Sequence, residues 1–463
     1  MDTRVESFLK NLHGKKIALC GIGRSNLPLI GLFSKYGAEV IACDKRTKEQ
    51  LGDIACDAVN AGASLSLGES YLDNLNVDIV FRTPGMRYYM DELVNFRKRG
   101  VVVTSEMEVF FDLCPCKIIA VTGSDGKTTT TTIISEFLKA EGKTVHLGGN
   151  IGKPLLPEIE NIKPSDYAVV ELSSFQLISM RESPDVAVVT NLSPNHLDIH
   201  KDMQEYIDAK KNIVMHQNAF SKAVLNLDNE TANSFADDVR GSLFKFSRRQ
   251  SVESGAYMNE NGDLIIAVNG NENVIMNKAD IKIPGLHNVE NYLAAVCAVW
   301  GDVSVESIVK VAKEFGGVAH RNEFVRELNG VKYYNDSIAS SPTRTALGTL
   351  SLYDEKIIVI LGGYDKHLDY TELGKLIVKK VKTAVIMGAT GPKIEKAILS
   401  AEGYSQGNPQ IIRVENMEQA VQAAYESSAG GDIVSMSPAS ASFDLYKNFE
   451  ERGEHFKSLV NKL

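Results

Sequence analysis

Four segments of the sequence combine an apolar, β-branched run with a glycine-containing or polar turn. They are KKIALCGIG, CKIIAVTGSDGKTT, YAVVELSSF and EKIIVILGGYDK. Patterns of helical period lie between them, for example at residues 26–36 and 130–141, so strand and helix alternate along most of the chain. This alternation predicts an α/β fold with parallel sheets and helices on both faces, in which ligands bind beyond the carboxyl ends of the strands.

The length of 463 residues exceeds what one hydrophobic core normally organises. We expect three domains, spanning residues 1–105, 106–317 and 318–463. The first boundary lies near Ser105, because residues 106–116 end in Cys-Pro-Cys and lead into a new strand. The second boundary lies at Gly316-Gly317. Residues 256–283 contain two Asn-Gly turns between apolar runs, which predicts antiparallel hairpins appended to the sheet of the middle domain.

The net charge of -9 argues against the broad basic surface that a nucleic-acid-binding protein needs. The first residues are charged before the first apolar run, unlike a signal peptide, and no stretch reaches the roughly 18 apolar residues of a membrane span. The six cysteines lack zinc-finger spacing. We therefore expect a cytoplasmic protein with reduced thiols that binds neither nucleic acid nor membrane.

The segment TGSDGKTT at residues 122–129 follows the apolar run IIAV and precedes a helical pattern, as a phosphate-binding loop does. Glycines let successive backbone amides turn toward an anion, while Lys127 reaches the β- and γ-phosphates and Thr128 can bind Mg²⁺. Val121 stands where the longer form of this loop has glycine, so the loop is a shortened version. The predicted ATP-binding residues of the loop are Gly123, Ser124, Asp125, Gly126, Lys127, Thr128 and Thr129.

Polar residues also end two further predicted strands of the middle domain. Glu171 follows YAVV, where a parallel-sheet nucleotide enzyme needs an oxygen ligand for Mg²⁺. The run VAVVTN leads into LSPNHLDIH and so brings Asn191, His196, Asp198 and His200 to a neighbouring strand end. Several polar groups at one edge favour a site over isolated surface residues.

The first domain begins with a glycine-rich turn, GIGRSNLPL, and Asp44 closes the next strand about twenty residues later. This arrangement is typical of dinucleotide-binding folds, so an NAD-dependent dehydrogenase is one alternative. The third glycine of that fingerprint is absent, because Leu27 and Pro28 occupy its region. The phosphate loop also opposes this alternative.

The segments TGSDGKTT, ELSSFQL, NLSPNHLDIH, YIDAKKNIV, PGLHNVENYLAA, AHRNEFV, YYNDSIASSPTRT, LGGYDK and SPASASFDLYKNFEERG occur in the order found in the Mur ligases. The resemblance spans the whole chain, and SSFQL with SPASASFD and KNFEERG is most similar to the member that adds D-glutamate. It implies an N-terminal Rossmann-like domain for the UDP substrate, a central ATPase-like domain and a C-terminal Rossmann-like domain for the amino acid.

The activity that the resemblance implies is the ATP-dependent joining of D-glutamate to UDP-N-acetylmuramoyl-L-alanine through an acyl phosphate, in peptidoglycan synthesis. ADP and phosphate are released. The implied cofactors are ATP and Mg²⁺ at two sites, the implied partners are the two small-molecule substrates, and a monomer is expected.

The resemblance also implies roles for individual residues. The catalytic residues are Lys127, Glu171, His196 and Lys210. The Mg²⁺ ligands are Thr128, Glu171, His196 and Lys210, the last as a carbamate, whose oxygens attract a cation that a free ammonium would repel. Further nucleotide contacts are Asn288, Asn291, Arg321 and Asp336. The UDP-substrate residues are Arg24, Ser25, Asp44, Lys45, Pro84, Gly85, Asn150 and Ser173. Of these, the resemblance implies that Pro84 and Gly85 lie near the diphosphate. The amino-acid residues are Lys366, Ser442, Phe443 and Phe449.

The sequence departs from the family pattern at Ile338 and Ser341, where lysine and asparagine are frequent. Arg344 or Lys366 could supply the missing positive charge. Other interpretations stay open: Lys210 as a surface lysine, and Phe443 and Phe449 as core residues. At the level of function the alternatives are a sister Mur ligase, a folylpolyglutamate-synthetase-like ligase, and a catalytically silent nucleotide-binding scaffold.

Overall fold

The computed structural model describes residues 2–23, 25–193 and 200–463. The chain forms two compact units, residues 1–280 with 287–313, and residues 281–286 with 314–463. The described residues contain three sheets, two in the first unit and one in the second. The predicted α/β fold is confirmed, whereas the three-domain division at residues 105 and 317 stays a prediction.

The first sheet has five strands in the order β3-β2-β1-β4-β5, and every neighbouring pair is parallel. Along β1, Ile17 and Leu19 face one apolar cluster, and Ala18 and Cys20 face another, so both faces of the sheet are covered. The elements are α1 (Thr3–Lys10), β1 (Lys16–Cys20), α2 (Leu27–Lys35), β2 (Glu39–Asp44), α3 (Lys48–Leu51), α4 (Asp53–Asn60), β3 (Ala63–Leu67), β4 (Ile79–Arg82), α5 (Asp91–Lys98), β5 (Val102–Thr104) and α6 (Glu106–Leu113).

The second sheet has nine strands in the order β14-β13-β12-β11-β10-β9-β6-β8-β7. Strand β6 lies between β9 and β8 in parallel pairing, so the carboxyl ends of these three strands meet at one edge. The elements are β6 (Lys117–Thr122), α7 (Lys127–Ala140), β7 (Val145–Gly149), β8 (Tyr167–Glu171), α8 (Ser174–Leu177), β9 (Val186–Val189), α9 (Met203–Met215), β10 (Lys222–Asn226), α10 (Glu230–Asn233), β11 (Ser242–Ser247), β12 (Gly255–Met258), β13 (Asp263–Val268), β14 (Asn271–Asn277), α11 (Leu286–Val299) and α12 (Val305–Glu314).

The last three strands of the second sheet form the predicted hairpins. Strands β12 and β13 are antiparallel, and so are β13 and β14. Asn269 and Gly270 both have positive φ, of 53° and 77°, as a tight turn between twisted strands requires. The Asn-Gly signals therefore located both turns from sequence.

The third sheet, in the second unit, has six strands in the order β15-β16-β20-β17-β18-β19, all parallel except the pair of β15 and β16. Along β17, Val359 and Leu361 face one apolar cluster, and Ile358 and Ile360 face the other. The elements are β15 (Glu323–Leu328), β16 (Val331–Asn335), α13 (Pro342–Arg344), β17 (Ile357–Gly362), α14 (Thr371–Lys380), β18 (Val381–Met387), α15 (Gly391–Leu399), β19 (Gln410–Arg413), α16 (Met417–Glu426), β20 (Ile433–Met436) and α17 (Phe449–Val460).

Across the described residues, every helix is too short or too polar to cross a lipid bilayer.

Candidate functional site

The predicted phosphate loop connects β6 to α7 at the centre of the second sheet. Gly123 and Gly126 have φ values of 147° and 78°, which side chains other than glycine rarely adopt. A Cβ at Gly123 would collide with Thr190 Oγ1, and one at Gly126 would collide with Asn291 Oδ1. Both glycines are therefore required by backbone conformation and by close packing. The loop turns its chain into the N-terminus of a 14-residue helix, where anions bind favourably.

Neighbouring elements hold the phosphate loop in this shape. The Asn191 side chain accepts from the amide of Asp125 at 2.9 Å, and the Asn191 carbonyl accepts from the amide of Ser124 at 2.7 Å. Thr190 Oγ1 donates to the Asp125 carbonyl at 2.6 Å. The Ser124 hydroxyl lies 2.8 Å from the hydroxyl of Tyr206 on α9. Asn191, predicted to belong to the site, thus acts as a support of the loop.

Thr128, Glu171 and Asn150 form a chain of hydrogen bonds beside the loop. The Thr128 hydroxyl donates to Glu171 Oε2 at 2.6 Å, and Asn150 Nδ2 donates to Glu171 Oε1 at 2.8 Å. Glu171 is 1 % exposed, and Lys127 Nζ donates to the Ser124 carbonyl at 2.9 Å. A hydroxyl and a carboxylate at a phosphate loop are the hard oxygen ligands that Mg²⁺ prefers, so these residues fit Mg²⁺ with a nucleotide.

Lys210 lies on α9 with its ammonium group directed at the base of the loop. Its side chain is buried, and Nζ donates to Thr122 Oγ1 at 3.1 Å and to the Gly123 carbonyl at 2.8 Å. Burial, reinforced by the nearby charge of Lys127, holds the pKa of Lys210 well below its ordinary value. The interpretation of Lys210 as a surface lysine is therefore wrong.

Asn288 and Asn291, two predicted nucleotide contacts, lie on α11 beside the phosphate loop, and their contact with the nucleotide stays a prediction. Asn291 Oδ1 accepts from Thr130 Oγ1 at 3.2 Å, and Asn291 Nδ2 donates to Asn288 Oδ1 at 3.0 Å. Both side chains are buried. Thr129 occupies the first turn of α7, directly after Thr128.

His196 and Asp198, which were predicted to lie at this edge, fall outside the described residues. His200, which follows them, is buried. Its Nε2 lies 2.8 Å from Ser174 Oγ and its Nδ1 lies 3.1 Å from Glu205 Oε2. The ring of His200 stacks on Phe175 with centroids 4.9 Å apart. These contacts make His200 a packing residue between α8 and α9.

The predicted UDP-substrate residues of the first domain follow three adjacent strands, β2, β1 and β4. Asp44 ends β2, and its Oδ2 accepts from the amide of Ile22 at 2.9 Å, which fixes the glycine turn after β1. Ser25 lies in that same turn, and Pro84 and Gly85 form the turn after β4. Lys45 is exposed and pairs with Glu69 at 3.3 Å. Arg24 lies outside the described residues.

Arg46 is a residue of this edge that the sequence prediction missed. Its guanidinium makes two hydrogen bonds of 2.9 Å to the two carboxylate oxygens of Asp44 and donates to the Ile22 carbonyl at 3.2 Å. Burial alone would raise the pKa of Asp44, but hydrogen bonds from Arg46 and Ile22 bring it below its ordinary value. The charged run Asp44-Lys45-Arg46 was a local signal for this pair.

Ser173 and Asn150 lie at the edge of the second sheet. Ser173 caps α8, because its hydroxyl accepts from the Gln176 amide at 3.3 Å while the Gln176 side chain accepts from the Ser173 amide at 2.9 Å. This capping explains the local sequence Ser-Ser-Phe-Gln in structural terms. A contact of Ser173 with substrate stays a prediction.

Two predicted nucleotide residues, Arg321 and Asp336, belong to the second unit. Asp336 follows β16 and is buried, accepting from Ser437 Oγ at 3.1 Å and from the Asn322 amide at 3.2 Å. Burial raises the pKa of Asp336 to about 6. The role of both residues at the nucleotide stays a prediction.

The predicted amino-acid residues follow β17 and β20 of the third sheet, which are neighbouring strands. Lys366 is exposed and Ser442 is buried. Phe443 is 61 % exposed with its ring 6.1 Å from that of Tyr364, so the interpretation of Phe443 as a core residue is wrong. Phe449 begins α17 and is partly buried.

Arg452 organises these loops and was not singled out from sequence, although it lies in KNFEERG. It is 2 % exposed and donates to Ser337 Oγ at 3.0 Å, to the Ser337 carbonyl at 2.8 Å, and to the carbonyls of Ser440 and Ala441 at 3.1 and 3.0 Å. The Ser337 hydroxyl donates to the Phe449 carbonyl at 2.7 Å. Arg452 thus ties the loop after β16 to the loop after β20. Ile338 lies in the first of these loops, and its carbonyl accepts from Arg344 Nη1 at 3.1 Å.

Comparison with known proteins gives two family matches. The Mur ligase middle domain matches residues 121–299, and the Mur ligase glutamate ligase domain matches residues 320–440. A UDP-N-acetylmuramoylalanine–D-glutamate ligase of Acetivibrio thermocellus is 51% identical over 468 residues, and that of Clostridium acetobutylicum is 50% identical over 466. Each alignment covers 100% of both chains.

Solved structures with a similar fold include two ligases of low sequence identity. A UDP-N-acetylmuramate-alanine ligase, MurC, from Thermotoga maritima has a TM-score of 0.57 at 18% identity, covering 97% of this chain and 99% of its own. A pseudomurein peptide ligase type C from Methanothermus fervidus has a TM-score of 0.54 at 19% identity, covering 97% of this chain and 100% of its own. These two support the fold alone.

Proposed function

The chain belongs to the Mur ligase family, and we propose that it is the ATP-dependent ligase that adds D-glutamate to UDP-N-acetylmuramoyl-L-alanine in peptidoglycan synthesis. The sequence identity of 51% and 50%, over the full length, to two UDP-N-acetylmuramoylalanine–D-glutamate ligases supports this choice of substrates. The observation in the site that supports the chemistry most directly is the meeting of four side chains beyond the carboxyl ends of β6 and β8. They are Lys127 and Thr128 at the start of α7, Glu171 at the end of β8, and Lys210 from the middle of α9.

The first step joins two anions, the carboxylate of the muramoyl substrate and the γ-phosphate of ATP. A carboxylate oxygen attacks the γ-phosphorus, the bond to ADP breaks, and an acyl phosphate forms. Like charges at about 4 Å repel strongly where water is excluded, so cations must be present before the two reactants approach. Lys127 supplies one of these, and the amides at the start of α7 add partial positive charge.

Magnesium, when bound, would neutralise phosphate charge at this edge, and Thr128 and Glu171 are the residues that would hold it. Asn150 keeps the Glu171 carboxylate oriented through its hydrogen bond to Oε1. A second Mg²⁺ site with His196 and Lys210 belongs to the proposal and awaits its own test. Monomeric state and a cytoplasmic location are further parts of the proposal.

Lys210 takes part as a carbamate. A neutral amine attacks carbon dioxide, forming a nitrogen–carbon bond and releasing one proton. The lowered pKa of Lys210 favours the neutral amine that this reaction needs, and its burial keeps the product away from bulk water. The resulting anion replaces a cation that would repel Mg²⁺.

In the second step the amine of D-glutamate attacks the activated carbonyl, and phosphate leaves with one of the former carboxylate oxygens. Lys366 and the hydroxyl of Ser442 are suited to bind the two carboxylates of this amino acid. They follow β17 and β20, which are neighbours in the third sheet.

The test is an acceptor screen. Purified protein with ATP, Mg²⁺ and UDP-N-acetylmuramoyl-L-alanine should release phosphate with D-glutamate and not with L-glutamate, L-lysine or diaminopimelate. Turnover with one of the other amino acids alone would identify a sister ligase. The absence of turnover with every acceptor, together with retained ATP binding, would indicate a silent scaffold.

A further inference from the structure

Arg82, the last residue of β4, joins the first sheet to the edge of the second. It is 1 % exposed. Its Nη1 donates to the Met86 carbonyl at 3.4 Å, while Nη2 donates to the Phe175 carbonyl at 3.0 Å and to Ser179 Oγ at 2.6 Å. One buried guanidinium therefore connects the turn after β4 with the segment that contains α8.

Stability alone does not account for a cation at this position. Burying a guanidinium is costly unless an anion compensates it, whereas an apolar side chain of similar volume packs without that cost. Its hydrogen-bond acceptors in the described part of the chain are two carbonyl oxygens and a hydroxyl, and its Nε has no acceptor there. The charge of the Glu108 carboxylate offsets part of the cost of burial, but the burial effect is larger and holds the pKa of Arg82 below its ordinary value. The ring of Tyr88, 5.5 Å from the guanidinium carbon, adds a cation–π contact. The guanidinium holds its N–H donors in a rigid planar arrangement, so it fixes the directions of its hydrogen bonds to Met86, Phe175 and Ser179.

The two segments that Arg82 connects each belong to a different part of the proposed substrate site. One is the turn after β4, and the other is the segment that contains α8. The Met86 amide donates to the Thr83 carbonyl at 3.0 Å and closes the turn of Pro84 and Gly85, which is predicted to contact the diphosphate of the substrate.

On the other side, Phe175 lies four residues after Glu171. Asn212 Nδ2 donates to the Leu177 carbonyl at 2.9 Å and ties α8 to α9, the helix of Lys210.

We propose that Arg82 is a positioning residue that sets the distance between the diphosphate-binding turn and the edge formed by Glu171 and Lys210. The inference rests on the proposed function. A substrate anchored by its nucleotide at the first sheet must present its carboxylate to the γ-phosphate at the second, and a displacement of about 1 Å from reacting geometry can reduce the rate about 100-fold.

The experiment compares Arg82→Lys and Ser179→Ala with Arg326→Lys in the intact protein. Arg326 lies in the second unit, where its Nη1 donates to the carbonyls of Val460 and Asn461 at 3.2 Å, so it is an arginine-to-carbonyl connection that involves no residue of the first unit. Three quantities are measured for each protein: the dissociation constant of UDP, the dissociation constant of ATP with Mg²⁺, and kcat and KM for UDP-N-acetylmuramoyl-L-alanine.

We expect UDP and ATP to bind to both variants within about twofold of the parent, because each half of the site is intact. We expect kcat/KM for the full substrate to fall at least about tenfold, because only that ligand spans both halves. Arg326→Lys should resemble the parent. An unchanged kcat/KM in both variants, or a parallel loss of UDP and ATP binding, would overturn the inference. A parent protein inactive with every acceptor would instead refute the proposed function.

Discussion

The hydroxyl of Thr128 and the carboxylate of Glu171 are joined by a hydrogen bond of 2.6 Å. Thr128 is the second residue of the helix after the phosphate loop, and Glu171 ends β8, the strand that pairs with β6. Two residues 43 positions apart thus supply oxygen atoms to one place beside the loop. This arrangement leads to the first prediction.

Glu171→Gln should reduce kcat roughly 100-fold and increase the Mg²⁺ concentration needed for half-maximal rate, because the variant keeps the shape of the side chain and loses its charge. A magnesium titration of phosphate release measures both effects. Glu136→Gln is the control, since Glu136 lies on α7 and pairs with Lys139 at the surface. Equal magnesium dependence in the parent and Glu171→Gln would contradict the assignment of Glu171 as a ligand.

Gly123→Ala should abolish measurable ATP binding, because the added Cβ would collide with Thr190 Oγ1 and the backbone has positive φ. Gly142→Ala is a matched control: its φ is 77°, but nothing lies within 4 Å of the added atom. The control should lose about 1 to 2 kcal/mol of stability and keep its affinity. Calorimetric titration with ATP and Mg²⁺ measures the ATP affinity of each variant. Similar affinities in Gly123→Ala and Gly142→Ala would argue against the loop as the nucleotide site.

Lys210→Ala should lose activity, whereas Lys211→Ala should keep it, because Lys211 pairs with Asp238 and Lys210 is buried against the loop. The neutral fraction of an amine rises as pH increases through its pKa, and the pKa of Lys210 is lowered by burial. Carbamate formation should therefore occur at neutral pH and decline as the pH falls. Nuclear magnetic resonance with isotopically labelled carbon dioxide measures it. A carbamate signal that persists in Lys210→Ala would assign the modification elsewhere.

Patterns local in sequence predicted most of the fold and the centre of the site. The apolar run that contains Ile17 and Leu19, followed by a glycine turn, predicted a strand, and the Asn269-Gly270 pair predicted a hairpin turn. The spacing of Gly123, Gly126 and Lys127 predicted the phosphate loop. The supporting contacts could not be predicted in this way. Arg82 contacts Ser179 across 97 positions, and Arg452 contacts Ser337 across 115. Such contacts depend on how elements distant in sequence pack together, and local hydrophobic periodicity indicates secondary structure but not this packing.

Glu106 should make stability depend on pH. Its Oε1 accepts from the amides of Leu155 and Leu156 at 2.8 and 2.9 Å, and burial raises its pKa to about 7 from an ordinary 4.5. Between these values the folded state holds a proton that the unfolded state lacks, so the contribution to stability falls as pH rises through the window. Urea unfolding at several pH values should show the parent losing a few kcal/mol relative to Glu106→Gln from pH about 5 to about 7.5.

The control for this effect is Glu158→Gln, which changes an exposed carboxyl on the short helix at Leu156–Asn161, the one that Glu106 contacts. It should follow the parent at every pH. Parallel curves for the parent and Glu106→Gln would mean that Glu106 is ionised throughout the range.

The central claim is that the reaction proceeds through an acyl phosphate. The transfer of an oxygen atom from the substrate carboxylate to the released phosphate tests it most directly. UDP-N-acetylmuramoyl-L-alanine with a heavy-oxygen label in its carboxylate is incubated with the protein, ATP, Mg²⁺ and D-glutamate, and the released phosphate is analysed by mass spectrometry. An acyl phosphate predicts that each phosphate contains one oxygen from the labelled carboxylate, because that oxygen bonds to phosphorus in the first step and leaves with it in the second. Amide product accompanied by unlabelled phosphate would contradict the account.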